Sequence, residues 1–149
     1  MARCTRAATV SSSTSGKGLH VVSPLIPQAE WPAVKAFMKG VAEAMAADHP
    51  DRFVSTITKS KRKGKILVDY LRNQRNATAV AAYSTRARLG AAVSAPVAWE
   101  DLGDAIGPAY FTVENMPSRL AALRTDPWDG FRAAAVPLEK PKPRRRKSA

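Results

Sequence analysis

Cysteine is nearly absent from the 149-residue chain: Cys4 stands alone. One thiol cannot close an internal disulfide, and it excludes a Cys-based zinc finger. Histidine is almost as scarce, with only His20 and His49, so a His/Cys metal cluster is not expected. No apolar run approaches the roughly 18 residues needed to span a membrane. Acidic residues are few, 12 against 24 lysines and arginines, which leaves a formal net charge of +12. Hydrophobic residues still make up 45% of the chain, enough for a core, so it is not simply a charged disordered tail. These bounds predict one soluble, cytoplasmic domain with polyanionic partners and no membrane association.

The positive charge is uneven. Residues 52–99 carry ten basic side chains and a single acid, Asp69. Residues 139–149 carry six basic side chains and one acid. That terminal block alternates Lys-Pro and then runs Arg144-Arg145-Arg146-Lys147, a pattern that cannot build a core. It is expected to be a disordered tail, either a non-specific phosphate clamp or a solubilising end. The central block differs because apolar residues are woven through it. Asp69 there is read either as an ion-pair partner, to Arg62 or Arg72, or as a metal ligand in a phosphate site.

Patterning along the chain predicts an α+β fold: a mixed or antiparallel sheet with flanking helices. Residues 1–17, rich in Ala, Ser and Thr and without a signal peptide's apolar core, read as a mobile leader or as a loop cut from its upstream context, with 1–12 expected to be a disordered leader. Leu19–Leu25 reads as a short strand stopped near Pro24. A helix begins near Trp31 with Pro32 in its first turn and ends at His49-Pro50. Val34, Phe37, Met38, Val41 and Met45 fall on one face of it. Lys59–Lys65 is a basic turn. Ile66–Leu71 reads as a buried strand that brings Asp69 to a site near its end. Ala77–Tyr83 is a second candidate strand, continued by Ser84–Arg88. Pro96 and Trp99 open a second helical stretch, Met116–Leu123 reads as a short helix, and Asp126–Phe131 as a turn packing two aromatics.

Three elements can carry chemistry. Ser15-Gly16-Lys17-Gly18-Leu19-His20 combines glycines that let backbone N–H groups approach phosphate with a lysine charge and two hydrogen-bonding side chains. It is too short for a P-loop and precedes a strand instead of following one. A hairpin with a charged tip is the alternative. The basic turn followed by Asp69 suits metal-assisted phosphoryl transfer, but that chemistry normally uses two or three carboxylates. The nearest acids, Asp51 and Glu100, form no paired motif with it. In Tyr83–Arg88, an extended backbone projects Arg86 and Arg88 to one side, toward a triphosphate, a nucleic-acid backbone or solvent.

In order along the chain, TSGKGLHVVSPL, KRKGKILVDYLRNQRNATAVAAYSTRAR and FTVENMPSRLAAL with its following DPW resemble the polymerase domain of bacterial ligase D. That domain is a member of the archaeo-eukaryotic primase superfamily. The resemblance runs from about Ser13 to Phe131, and the basic tail from 139 lies outside it. It implies template-directed addition of ribo- or deoxyribonucleotides during non-homologous end joining, with Mn or Mg ions. The implied partners are DNA ends, nucleoside triphosphates, the Ku end-binding protein and a ligase domain, in a nucleoid-associated setting. Asp69 matches the family's third metal-binding carboxylate. Ser15, Lys17 and His20 match the nucleotide-binding loop, and Arg62 and Arg86 match triphosphate-holding positions.

Two departures bear on activity. The family carries an Asp-x-Asp pair upstream of the serine-glycine loop, whereas the first acid here is Glu30. The loop is also one residue short if Ser15 is the family serine; without a gap, Thr14 takes that place. The expectation is a truncated or frame-disrupted second half of the domain, inactive alone. A non-enzymatic basic DNA-binding module is the competing reading, and a poorly folding pseudogene product the third.

Overall fold

The structure is a computed structural model that describes residues 9–12, 19–85, 87, 90–103, 106, 107 and 110–138. These fall into two compact units, one built from residues up to Leu25 with Val80–Val136, the other from Ile26–Ala79 with Pro137 and Leu138. The architecture is α+β, as the patterning predicts.

The first unit holds a three-stranded antiparallel sheet. Strand β1 (Thr9–Ser12) lies between β2 (Leu19–Val22) and β5 (Pro96–Val97). Val10 pairs with Val21 on one side and with Val97 on the other. Strand β1 lies inside the 1–12 stretch that the sequence reads as a leader; residues 1–8 lie outside the described residues. Its β-branched Thr9 and Val10 suit a pleated strand, which pairs along its whole length with β2 and at Val10 and Ser11 with β5. The core of this unit is Val93, Ala95, Val97, Phe111 and Met116, with Leu102 and Ile106 packed against it. Helix α2 (Met116–Ala122) starts with Pro117 in its first turn. Asn115 sets its entry: Oδ1 accepts the Thr112 N–H at 2.8 Å, and Nδ2 donates to the Tyr110 carbonyl at 2.7 Å.

Arg119 on α2 ties the core to its rim. Its guanidinium lies 4.6 Å from the Phe111 ring centre and donates to the Pro96 carbonyl at 3.2 Å. Asp101 lies 3.9 Å away on its open side. The aromatic turn forms as expected: Trp128 and Phe131 meet edge to face at 4.7 Å. Asp126 Oδ1 accepts the Trp128 N–H at 2.9 Å, and Gly130 takes a positive φ of 71° that closes the turn.

The second unit is organised on helix α1 (Trp31–Asp48). The His49 N–H still bonds the Met45 carbonyl, but His49 itself leaves helical geometry before Pro50, as the residue before a proline tends to. Val34, Phe37, Met38 and Val41 are half-buried, while Ala42 is fully buried and Met45 is exposed. The stripe is right in phase but runs one position off at its end. Strands β3 (Phe53–Val54) and β4 (Ile66–Leu67) pair in parallel, Phe53 opposite Ile66 and Val54 opposite Leu67.

Several sequence-predicted elements are shorter than expected. The strand predicted over Ile66–Leu71 ends at Leu67, and Ile66 is 60% exposed. The backbone turns because Asp69 Oδ1 accepts the Leu71 N–H at 2.9 Å, a local bond that competes with the ladder. Ala77–Tyr83 forms no strand. Its alanines bury little surface, and Tyr83 sits in a turn at φ 62°. Within the described continuation, only Thr85 makes a bridge, to Val93. The helix expected after Pro96 is a single 3-10 turn, Trp99–Asp101, following β5.

Candidate functional site

Asp69 lies just beyond β4, in the turn that its own carboxylate builds. With Oδ1 on the Leu71 N–H, Oδ2 lies 3.8 Å from Arg72 Nε. Both side chains are about half exposed, so this long ion pair contributes little to stability. Arg72 also donates from a terminal nitrogen to the Thr78 carbonyl at 2.6 Å, which ties the Asp69 turn to the loop after it. Of the two ion-pair partners read from the sequence, the structure selects Arg72. The Asp69 carboxylate is not enclosed as the buried-strand reading expected; its side chain is exposed.

The cations stand immediately upstream. Lys59–Arg62 forms a 3-10 turn, closed by the Lys61 N–H on the Thr58 carbonyl at 3.1 Å. The Lys65 N–H bonds the Arg62 carbonyl at 3.0 Å, with Gly64 at φ 73° between them. Lys59, Lys61, Lys63 and Lys65 are exposed and Arg62 is half-buried. Among the described residues, no carboxylate lies within ion-pair distance of any of the five. Such a turn concentrates positive potential, and a concentration of exposed cations attracts phosphate.

His20 lies on β2, half-buried, opposite Ser11 on β1. Ser15, Lys17 and Arg86 lie outside the described residues. The second unit thus holds Asp69 and Arg62, and the first unit holds His20. Among the described residues, no group of three or more His, Cys, Asp or Glu side chains is placed to hold a metal ion.

Two residues that sequence reasoning passed over shape the first unit. Arg119 is one; an aromatic and a carbonyl far along the chain give its position no local signal. Tyr83 is the other. Its N–H bonds the Ser94 carbonyl at 2.6 Å, and the Ser94 N–H returns to the Ser84 carbonyl at 2.9 Å. Partial burial, reinforced by the Asp126 carboxylate facing it, pushes the Tyr83 hydroxyl above its usual pKa; the nearby Arg119 charge opposes this in part.

Fold and site together define an α+β protein whose basic turn and single open carboxylate are suited to phosphate. The comparisons with known proteins narrow that class. The model of the LigD primase-polymerase domain matches residues 5–128, and the chain belongs to this family. The match begins before β1, so that strand falls within it. The multifunctional non-homologous end joining protein LigD of Pseudomonas aeruginosa is 42% identical over 120 residues, 80% of this chain and 14% of that protein. The corresponding LigD repair protein of Mycobacterium tuberculosis is 39% identical over 92 residues, 61% of this chain and 12% of that protein. The solved polymerase domain of M. tuberculosis ligase D, in complex with DNA, superposes with a TM-score of 0.73 at 32% identity. That likeness covers 86% of this chain and 44% of the solved one. The chain therefore spans a small part of its curated relatives and under half of a solved polymerase domain.

Proposed function

We propose that this chain is the triphosphate-holding part of a LigD-type end-joining polymerase and does not polymerise alone. The observation that carries this reading is the exposed Asp69, four residues after a turn of five cations that have no carboxylate within ion-pair distance among the described residues. Five cations complement a triphosphate and a DNA backbone. One carboxylate fits a single divalent ion, Mn or Mg, carried mainly by nucleotide phosphates and water. It does not fit a two-ion centre, which needs several carboxylates. On this reading Asp69 ligates the ion, Arg62 and Arg86 hold the triphosphate, and Ser15, Lys17 and His20 form the nucleotide loop. DNA ends are the polymeric partner, with Ku and a ligase domain as further partners in the nucleoid. Template-directed nucleotide addition then requires further carboxylates, since none precedes Glu30 in this chain.

A purely basic DNA-binding module is the less favoured reading, because the family match extends across residues 5–128 and well beyond the basic block. Titrating the purified chain with a fluorescent nucleoside triphosphate, with and without Mn, separates the two. The proposal predicts Mn-dependent binding that falls at least tenfold in Asp69→Ala. Metal-independent binding, unchanged in that variant, would overturn it.

A further inference from the structure

Arg72 stands next to the one acid of residues 52–99 and yet does not close on it. Its Nε lies 3.8 Å from Asp69 Oδ2, too long for a hydrogen bond. It gives its hydrogen bond elsewhere: a terminal nitrogen donates to the Thr78 carbonyl at 2.6 Å. The loop between them is itself fixed. The Ala77 N–H bonds the Gln74 carbonyl at 3.2 Å, and Asn76 takes a positive φ of 64°. Lys35 on α1 donates to Gln74 Oε1. The guanidinium is therefore tied to backbone within Coulomb range of the carboxylate. Its Nε–H and second terminal nitrogen make no hydrogen bond among the described residues. Arg72 thus holds donors in reserve at the place where Asp69 presents its second oxygen.

We infer that Arg72 makes ion binding at Asp69 conditional on phosphate, so that the site selects a metal–nucleotide complex over the metal alone. This inference rests on the reading under Proposed function that Asp69 ligates the ion. A bare divalent cation on Oδ2 would have the Arg72 charge as a near neighbour, and like charges repel. No second acid within residues 52–99 offsets that repulsion. Arg72 cannot relieve it by losing a proton, because a guanidinium stays charged. A triphosphate on the ion reverses the sign of the encounter. Its oxygens bring negative charge and accept the N–H groups that Asp69 leaves unused. Arg72 therefore opposes the free ion and favours the ion that arrives on phosphate, which is a coupling between two ligands at one site. Its tie to the Thr78 carbonyl keeps it from closing on Asp69 and cancelling the carboxylate.

The test measures two affinities on each purified chain. Electron paramagnetic resonance reads Mn binding without nucleotide, and a fluorescent nucleoside triphosphate reads binding with saturating Mn. Arg72→Gln removes the charge while its amide can still donate to the Thr78 carbonyl. It should bind Mn alone about threefold tighter, the scale of an exposed charge pair. It should bind the Mn-nucleotide at least about fivefold weaker, the lower range of such couplings. Arg72→Lys keeps the charge and guards against a loss of fold, which a thermal melt of each variant reports. It should bind Mn alone as the unaltered chain does and regain most of the nucleotide affinity lost in Arg72→Gln. A residue that merely holds the loop would weaken both affinities together when replaced. Mn binding unchanged or weakened in Arg72→Gln, unchanged Mn-nucleotide binding in it, or an Arg72→Lys variant that behaves like it would overturn the inference. Asp69→Ala, titrated in parallel, separates the two readings. If it leaves Mn-nucleotide binding unchanged, the reading of Asp69 as the ion's ligand fails and takes this inference with it. If it abolishes that binding while Arg72→Gln changes neither affinity, only the role of Arg72 falls.

Discussion

Asp69 is a carboxylate divided between two tasks. One oxygen holds the turn through the Leu71 N–H, and the other faces Arg72. Asp69→Asn retains an acceptor for the turn and removes the charge. It should keep the melting temperature within about 2 °C, in line with the small worth of an exposed pair, while abolishing Mn-dependent nucleotide binding. Calorimetry and nucleotide titration on the same samples check both halves. Tyr83 makes a different prediction. Its raised pKa means that the folded state favours the neutral phenol, so the associated stability is present below the usual pKa near 10 and is lost as pH rises through the higher folded value. Ultraviolet titration should show one tyrosine ionising late. Asp126→Asn should bring that step part of the way back, because burial is the larger cause. The charge environment of Asp69 was legible in the sequence as one acid among ten cations. Its exposure was not, because a side chain bonding its own backbone two residues on leaves no periodic trace.

At the scale of elements, α1 was the most legible. Its 3.6-residue stripe, the proline at its start and the His49-Pro50 stop are local signals that the fold obeys. The short strands were not. The Ile66–Leu71 run has strand composition, but strand length depends on partners, and β4 finds only two residues of β3. The Ala77–Tyr83 run has alternation without bulk, and a positive φ at Tyr83 turns it away from a sheet. Two substitutions test how these elements are held. Gly64→Ala should destabilise by about 1 kcal/mol in urea unfolding. No atom lies within 4 Å of the added Cβ, so the backbone conformation alone carries the cost. Arg119→Ala removes the contact over Phe111 and the guanidinium bond to the Pro96 carbonyl. It should cost about 2 kcal/mol in the same assay.

On the scale of the whole molecule, the +12 charge resolves into a basic tail and a central basic turn followed by one exposed carboxylate. Chain-wide charge was legible from composition. The thin interior of the α1 unit was not, because apolar residues that lack a partner read in sequence like those that have one. If the Lys59–Lys65 turn tracks a phosphate backbone, log affinity for DNA should fall linearly with log salt. Replacing Lys61 and Lys63 by alanine should reduce that slope by roughly 1 to 2. Fluorescence anisotropy across a salt series measures it. The central claim, that this chain holds metal-bound triphosphate but cannot add it to DNA by itself, is tested most directly by one assay. Purified chain, a primed DNA end with a templating overhang, Mn and nucleoside triphosphates are incubated together, and the primer is resolved by length. The account predicts no template-dependent extension by a preparation that binds Mn-nucleotide; primer extended in the order of the template bases would contradict it.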